Sequence, residues 1–375
     1  MPPYDLVPTL DPLPLPAPEW LLLALLLITF FLHIVAMNLL VGGTLAAFLS
    51  AFAKKTDGAR RLFPDLAKTL PSLLAATITL GVAPLLFLQA LYGRFFYTSS
   101  VLMGGPWMLV LLFVTLAYYA LYLVAFRCAA PGRGAAALVL AAFALLLAVG
   151  FTYSNNLMLA LTPDTWAAKY FADRSGWNLN LGEATLVPRA LHFLVAAAAL
   201  GGMLVAFIGM ARWRGDPGYG RALVSRGGAW FAHATFAQAI FGTWFLVSLP
   251  REKMLLFMGG SPTGTALLCL GIVCGIAAAV IAWKAARLPD PRRGIVHAVV
   301  LAALAVASMI LVRHLLREAY LAPYSEPAMT AVQWTVLPLF LVVFLLGVGL
   351  WAVMLRRYFR ATSATGAGEP QGGGQ

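Results

Sequence analysis

Five histidines, His33, His192, His233, His297 and His314, are the residues through which this chain can do chemistry, and all five lie in or at the ends of long apolar runs. An ionisable side chain at membrane depth is costly and usually serves a function. The company they keep narrows what that function is. The apolar runs after the first hold almost no Asp or Glu in their interiors, whereas proton and cation carriers keep carboxylates there. Neutral imidazoles without carboxylates suit haem iron, which proteins hold with His or with His and Met. A bundle of apolar helices also supplies the slot a macrocycle needs.

Each histidine has a sharp and a bland reading. His33, in TFFLHIVAMNLLVGG, lies about 20 Å along its helix from Trp20 at 1.5 Å per residue, and Gly42-Gly43 beyond it allow close approach of a ring or a helix. It is either an iron ligand or an interhelical hydrogen-bonding group. His192 lies about two turns into the fifth run, and Arg189 shares its face, where it can meet a carboxylate such as a haem propionate. His233 and His297 lie toward the opposite side and form either a second bis-His site or, for His297 above all, ordinary interfacial polar residues. His314 closes the eighth run among Arg313, Arg317 and Glu318. It reads as a helix end, as a ligand, or as a quinol contact with arginines holding propionates. Arg94 joins Arg189, Arg313 and Arg317 as a candidate propionate partner. Met254 and Met258 share a side with His192, and Met258 is carried as its candidate sixth ligand, although methionines at this depth are mostly packing.

Other chemistries lack their residues. Cys128, Cys269 and Cys274 form no CxxC or CxxCH, which leaves no covalent haem attachment and no thiol metal site. Walker loops, GxGxxG turns, HExxH and nucleophile elbows are absent from the sequence.

The elements that must position these residues are transmembrane helices. Apolar residues make up 61% of the 375 positions and charged residues 11%, against roughly 25% charged in soluble domains. The first run extends from Trp20 to Phe52 and must tilt, kink near Gly42-Gly43 or begin with an interfacial turn. Further runs cover 70–92, 106–126, 135–160, 185–211, 228–249, 264–287, 294–313 and 332–355, about nine spans in all. The net charge of +12 does not point to nucleic acid, because of where the charges lie. The loops at 53–69, 127–134, 212–227 and 284–296 and the end of the last run hold 18 of the 26 Lys and Arg residues. The positive-inside rule then puts the N-terminus outside and the C-terminus in the cytoplasm of a bacterial-type inner membrane. The predicted organisation is an all-α polytopic bundle over 19–360, a Pro-rich lead-in at 1–18 and a disordered tail at 361–375. The start shows no cleavable signal peptide.

The stretch LGVAPLLFLQALYGRFFYTSS, Leu80 to Ser100, and MGGPW at 103–107 resemble subunit I of cytochrome bd quinol oxidases. So does the first helix, where His33 through Gly43 matches the family's ligating His, short apolar stretch and Gly. His192 falls where that family places its low-spin haem b histidine. The resemblance covers 20–250 loosely, and implies haem b and quinol binding. The departures limit what transfers. The run Trp107 to Phe126, which matches the family's third helix and its two glutamates, contains no acid, and a second-helix glutamate reads as Gln89. The long quinol loop is reduced to Pro250–Pro262.

Oxygen reduction needs proton delivery, so a terminal oxidase acting on its own is not expected. The expected function is a haem b membrane subunit, with one to three haems, of a respiratory oxidoreductase. It would pass electrons between the quinone pool and an outer-face c-type cytochrome or iron–sulfur partner. The rivals are a haem-free permease, with Asn38, Thr77, Thr79, Gln89, Gln238 and Thr243 as polar lining, and a structural anchor for a peripheral complex.

Overall fold

The computed structural model describes residues 13–52, 57–127, 131–325 and 329–365. Eleven helices account for nearly all of them: α1 (Glu19–Phe52), α2 (Asp57–Leu102), α3 (Gly104–Arg127), α4 (Arg133–Ala160), α5 (Trp166–Ala172), α6 (Leu186–Arg212), α7 (Pro217–Ser248), α8 (Arg251–Leu255), α9 (Pro262–Ala285), α10 (Arg292–Leu321) and α11 (Val336–Thr365). Eight of these are long and apolar enough to cross a membrane. The sixth expected span lies in α7, which is 32 residues long but carries Arg221, Arg226 and His233 among its apolar residues. The protein is a multi-pass, all-α membrane bundle. Cys128 and residues 366–375 lie outside the described residues, and α11 continues through Thr365, past the start expected for the tail.

α1 is unbroken over 34 residues, about 50 Å at 1.5 Å per residue. It therefore exceeds the hydrocarbon thickness of roughly 30 Å. Gly42-Gly43 does not kink it. The pair is where α6 crosses, and a Cβ on Gly201 of α6 would lie 2.5 Å from the carbonyl oxygen of Gly42. Without a hydrophobic drive between helices in lipid, such small-residue crossings let backbones approach and gain dispersion contacts. α6 repeats the device on its other side, where a Cβ on Gly202 would lie 2.6 Å from the backbone nitrogen of Phe231 in α7. α2 bends at Tyr92, the one residue in it with non-helical dihedrals (φ −128°, ψ 31°).

One end of the bundle holds the start of α1, and the other holds the basic loops. At the basic end Arg212 pairs with Asp65, and Tyr219 donates to Asp65 at 3.2 Å. Asp216 caps α7 by accepting from the Tyr219 amide at 2.9 Å and from Arg61 at 2.7 Å. The Tyr219 amide first, and Arg61 after it, hold the Asp216 carboxyl below the usual carboxylate range. A lowered pKa stabilises the fold above the unfolded value, and that contribution disappears as pH falls through the folded value. Asp216→Asn is therefore expected to unfold at a lower temperature than wild type at neutral pH. Thermal melts in strongly acidic buffer are expected to converge.

At the other end, residues 161–185 fold over α2 and α3. Trp166 is fully buried and donates to the Leu159 carbonyl at 2.7 Å. The Gly104-Gly105 element is a seat for Trp177, whose ring atom Cδ2 lies 2.7 Å from where a Gly105 Cβ would be. The Leu15 strand-like contact with Thr330 brings the lead-in to the turn before α11.

Candidate functional site

His33 is fixed by the helix beside it. Its Nδ1 lies 3.1 Å from the Thr77 carbonyl oxygen of α2, and since a carbonyl only accepts, Nδ1 carries the proton and donates. Nε2 is left with its lone pair. Metal-ligating histidines are commonly oriented this way, by a second hydrogen bond that fixes the tautomer. Gly81, one turn further along α2, makes the room: a Cβ there would come within 2.8 Å of the His33 Cε1.

His192 sits between α6 and α7 in a different setting. Gln238 of α7 places its amide nitrogen 3.0 Å from His192 Nδ1 and 2.9 Å from the His192 carbonyl oxygen. Gly242 leaves space for the ring, with its virtual Cβ 3.3 Å from Cε1. Phe245 lies 5.9 Å from the His192 ring, centroid to centroid, and its other neighbour is the Arg189 guanidinium at 4.6 Å.

α10 supplies the third wall. Arg313 stands 4.5 Å over the ring of Phe30, one turn before His33 on α1. Arg317 stands 4.6 Å over Tyr92 at the bend of α2, and the Tyr92 hydroxyl donates to Glu318 at 2.5 Å. His314 Nδ1 is 3.7 Å from Glu318, too far for a hydrogen bond. Arg189 and Arg317 are 2% and 4% exposed. Nε and Nη2 of Arg189, and Nε and Nη1 of Arg317, have no hydrogen-bond partner. Among the described residues no carboxylate forms an ion pair with Arg189, Arg313 or Arg317. A buried guanidinium without an ion-pair partner is unfavourable, and anionic oxygens are the groups that satisfy one.

α10 rests only lightly on α1, α6 and α7, and α7 has no buried residue from His233 to Ser248. Haem b would ask for a ligating nitrogen and for partners to two carboxylates, and this region supplies the His33 Nε2 lone pair and the unpartnered guanidinium donors of Arg189 and Arg317.

The remaining candidates are spread out. His233 is exposed on α7 and donates from Nδ1 to the Ala229 carbonyl at 2.7 Å. His297 is exposed at the basic end beside Asp290, Arg292 and Arg293. Met258 is 58% exposed in the π-helical turn 256–260, while Met254 packs beside Phe245 and Leu249. Arg94 is half-buried just beyond the bend of α2. Thr77 and Gln238 enter the sequence reading only as polar lining of the rival permease, and Gly81, Gly242, Phe30, Tyr92 and Phe245 are not singled out there as site residues. Gln238 carried a signal, an amide in an apolar run, and Gly81 lies within LGVA. The Thr77 contribution is a backbone carbonyl, which no side-chain pattern reveals.

No family model and no curated protein matches the chain. Among solved structures it is similar to a chain of the bd oxidase from Geobacillus thermodenitrificans, at 14% identity and a TM-score of 0.71, over 93% of this chain and 100% of that one. The fold is that of a bd oxidase chain.

Proposed function

We propose that this chain is a haem b-binding membrane subunit of a respiratory oxidoreductase in a bacterial-type inner membrane. It exchanges electrons between the quinone pool and an extracytoplasmic partner, a c-type cytochrome or iron–sulfur subunit. The observation that carries this reading is His33: its proton is committed to the Thr77 carbonyl, so its Nε2 is free to ligate. The bd oxidase fold is consistent with it.

Haem supplies one-electron redox chemistry, and the protein's part is placement. His33 holds the iron from α1. Arg189, Arg313 and Arg317 offset the propionate charge, and Phe30, Tyr92 and Phe245 cover the guanidinium faces. The interiors of the spans after the first hold almost no carboxylates of a proton path, which favours electron transfer over oxygen reduction.

A dithionite-reduced minus oxidised spectrum of the purified full-length protein, with a pyridine haemochrome assay, tests this directly. Haem b at one or more per chain is the expected result. Protein expressed with ample haem and purified without any would remove the proposal.

A further inference from the structure

Gln238 gives His192 a tautomer opposite to that of His33. The Gln238 amide nitrogen faces two groups at once, His192 Nδ1 at 3.0 Å and the His192 carbonyl oxygen at 2.9 Å. The carbonyl selects this orientation of the amide, which leaves the Gln238 Oε1 buried without a partner, because turning it over would set two oxygens against each other at that distance. The nitrogen has two hydrogens and gives one to each acceptor. Nδ1 must then be the acceptor, and the single proton of the neutral ring sits on Nε2.

A protonated Nε2 cannot ligate iron, but it donates a hydrogen bond. Arg189, one turn earlier on the same face of α6, adds Nε–H and Nη2–H donors that are buried and without partners. The Phe245 ring flanks both side chains. Everything polar that these two side chains present is a donor.

We propose that Arg189 and His192 form a donor-only subsite for an oxygen acceptor on a bound ligand, with Gln238 as the positioning residue that sets the tautomer. The shared chemistry is a polarised or anionic oxygen, available from a quinone carbonyl or from a haem carboxylate. This rests on the redox reading for its ligands, while the tautomer itself does not depend on it. It also separates the two histidines by role: His33 ligates and His192 donates.

The test is nitrogen NMR of full-length protein labelled with 15N-histidine, with His192→Gln identifying the His192 signals. The expected wild-type spectrum has Nε2 protonated and Nδ1 bare. Gln238→Glu supplies an acceptor beside Nδ1 and is expected to move the proton there. Adding a short-chain naphthoquinone to haem-free protein shifts the Nε2–H signal if the oxygen is a quinone's. A shift on haem loading alone assigns the oxygen to a propionate. A wild-type proton on Nδ1, or an Nε2 signal that neither ligand moves, overturns the proposal. Protein that never takes up haem, but shows Nε2 protonated and a quinone-induced shift, keeps this inference and removes the haem reading instead.

Discussion

His33→Ala is expected to reduce haem b content more than tenfold, while the apoprotein still folds. The ring is half-buried between α1 and α2, and its loss leaves the Thr77 carbonyl with its helical partner, so no buried acceptor is stranded. What disappears is the one imidazole nitrogen in the site that has a lone pair to offer and an orientation fixed by a backbone group. A tenfold loss corresponds to about 1.4 kcal/mol. Removing an iron–nitrogen bond should exceed that comfortably. Gly81→Ala probes the same geometry without touching the ligand. Its methyl group meets the ring at 2.8 Å, so the imidazole must turn, and the haem spectrum or midpoint potential should shift with partial retention of haem. His297→Ala, at the exposed basic end, should leave both unchanged. Haem content per chain, measured on monodisperse detergent-purified protein, checks all three. Full retention in His33→Ala would remove His33 as a ligand.

The second large effect concerns the frame that holds the site. Gly201→Leu on α6, or Gly42→Leu on α1, should abolish the monodisperse protein altogether. At this crossing the added carbon meets backbone, with the Gly42 carbonyl oxygen at 2.5 Å and its Cα at 2.8 Å from the Gly201 position. Overpacking ordinarily costs about 1–3 kcal/mol when side chains can move aside. Here two helices would have to separate, which would also pull apart the walls carrying His33 and His192. Size-exclusion of detergent extracts reads the outcome, with Gly132→Ala, where nothing lies within 4 Å of the virtual Cβ, as a control. A monodisperse Gly201→Leu would show that α1 and α6 do not cross so closely.

Much of this architecture is legible in the sequence because membrane insertion is a one-dimensional problem. A segment's length and apolarity decide whether it can span. The expected runs and the observed helices therefore agree within a few residues along most of the chain, as for 135–160 against α4 and 185–211 against α6. For α2, which differs most, tertiary packing is the cause. α2 outruns its expected span at both ends, because its first turns bind α6 and α7 through Asp65 and its last turns bend at Tyr92 toward α10. Gly42-Gly43 reads both as a possible kink and as a place of close approach, and it proves to be a crossing with α6; a single sequence does not record which neighbour needs the missing Cβ.

The chemistry divides in the same way. Residue type and depth alone mark the histidines and outer arginines as expensive groups that need a reason, and composition alone excludes the soluble classes. What only the tertiary structure decides is protonation and partnership. His33 and His192 look equivalent as letters in apolar runs. One faces a carbonyl and the other an amide nitrogen, each from a helix more than 40 residues away in the chain. The position of a ring proton is set by the group across the interface, and that group is chosen by how the helices pack.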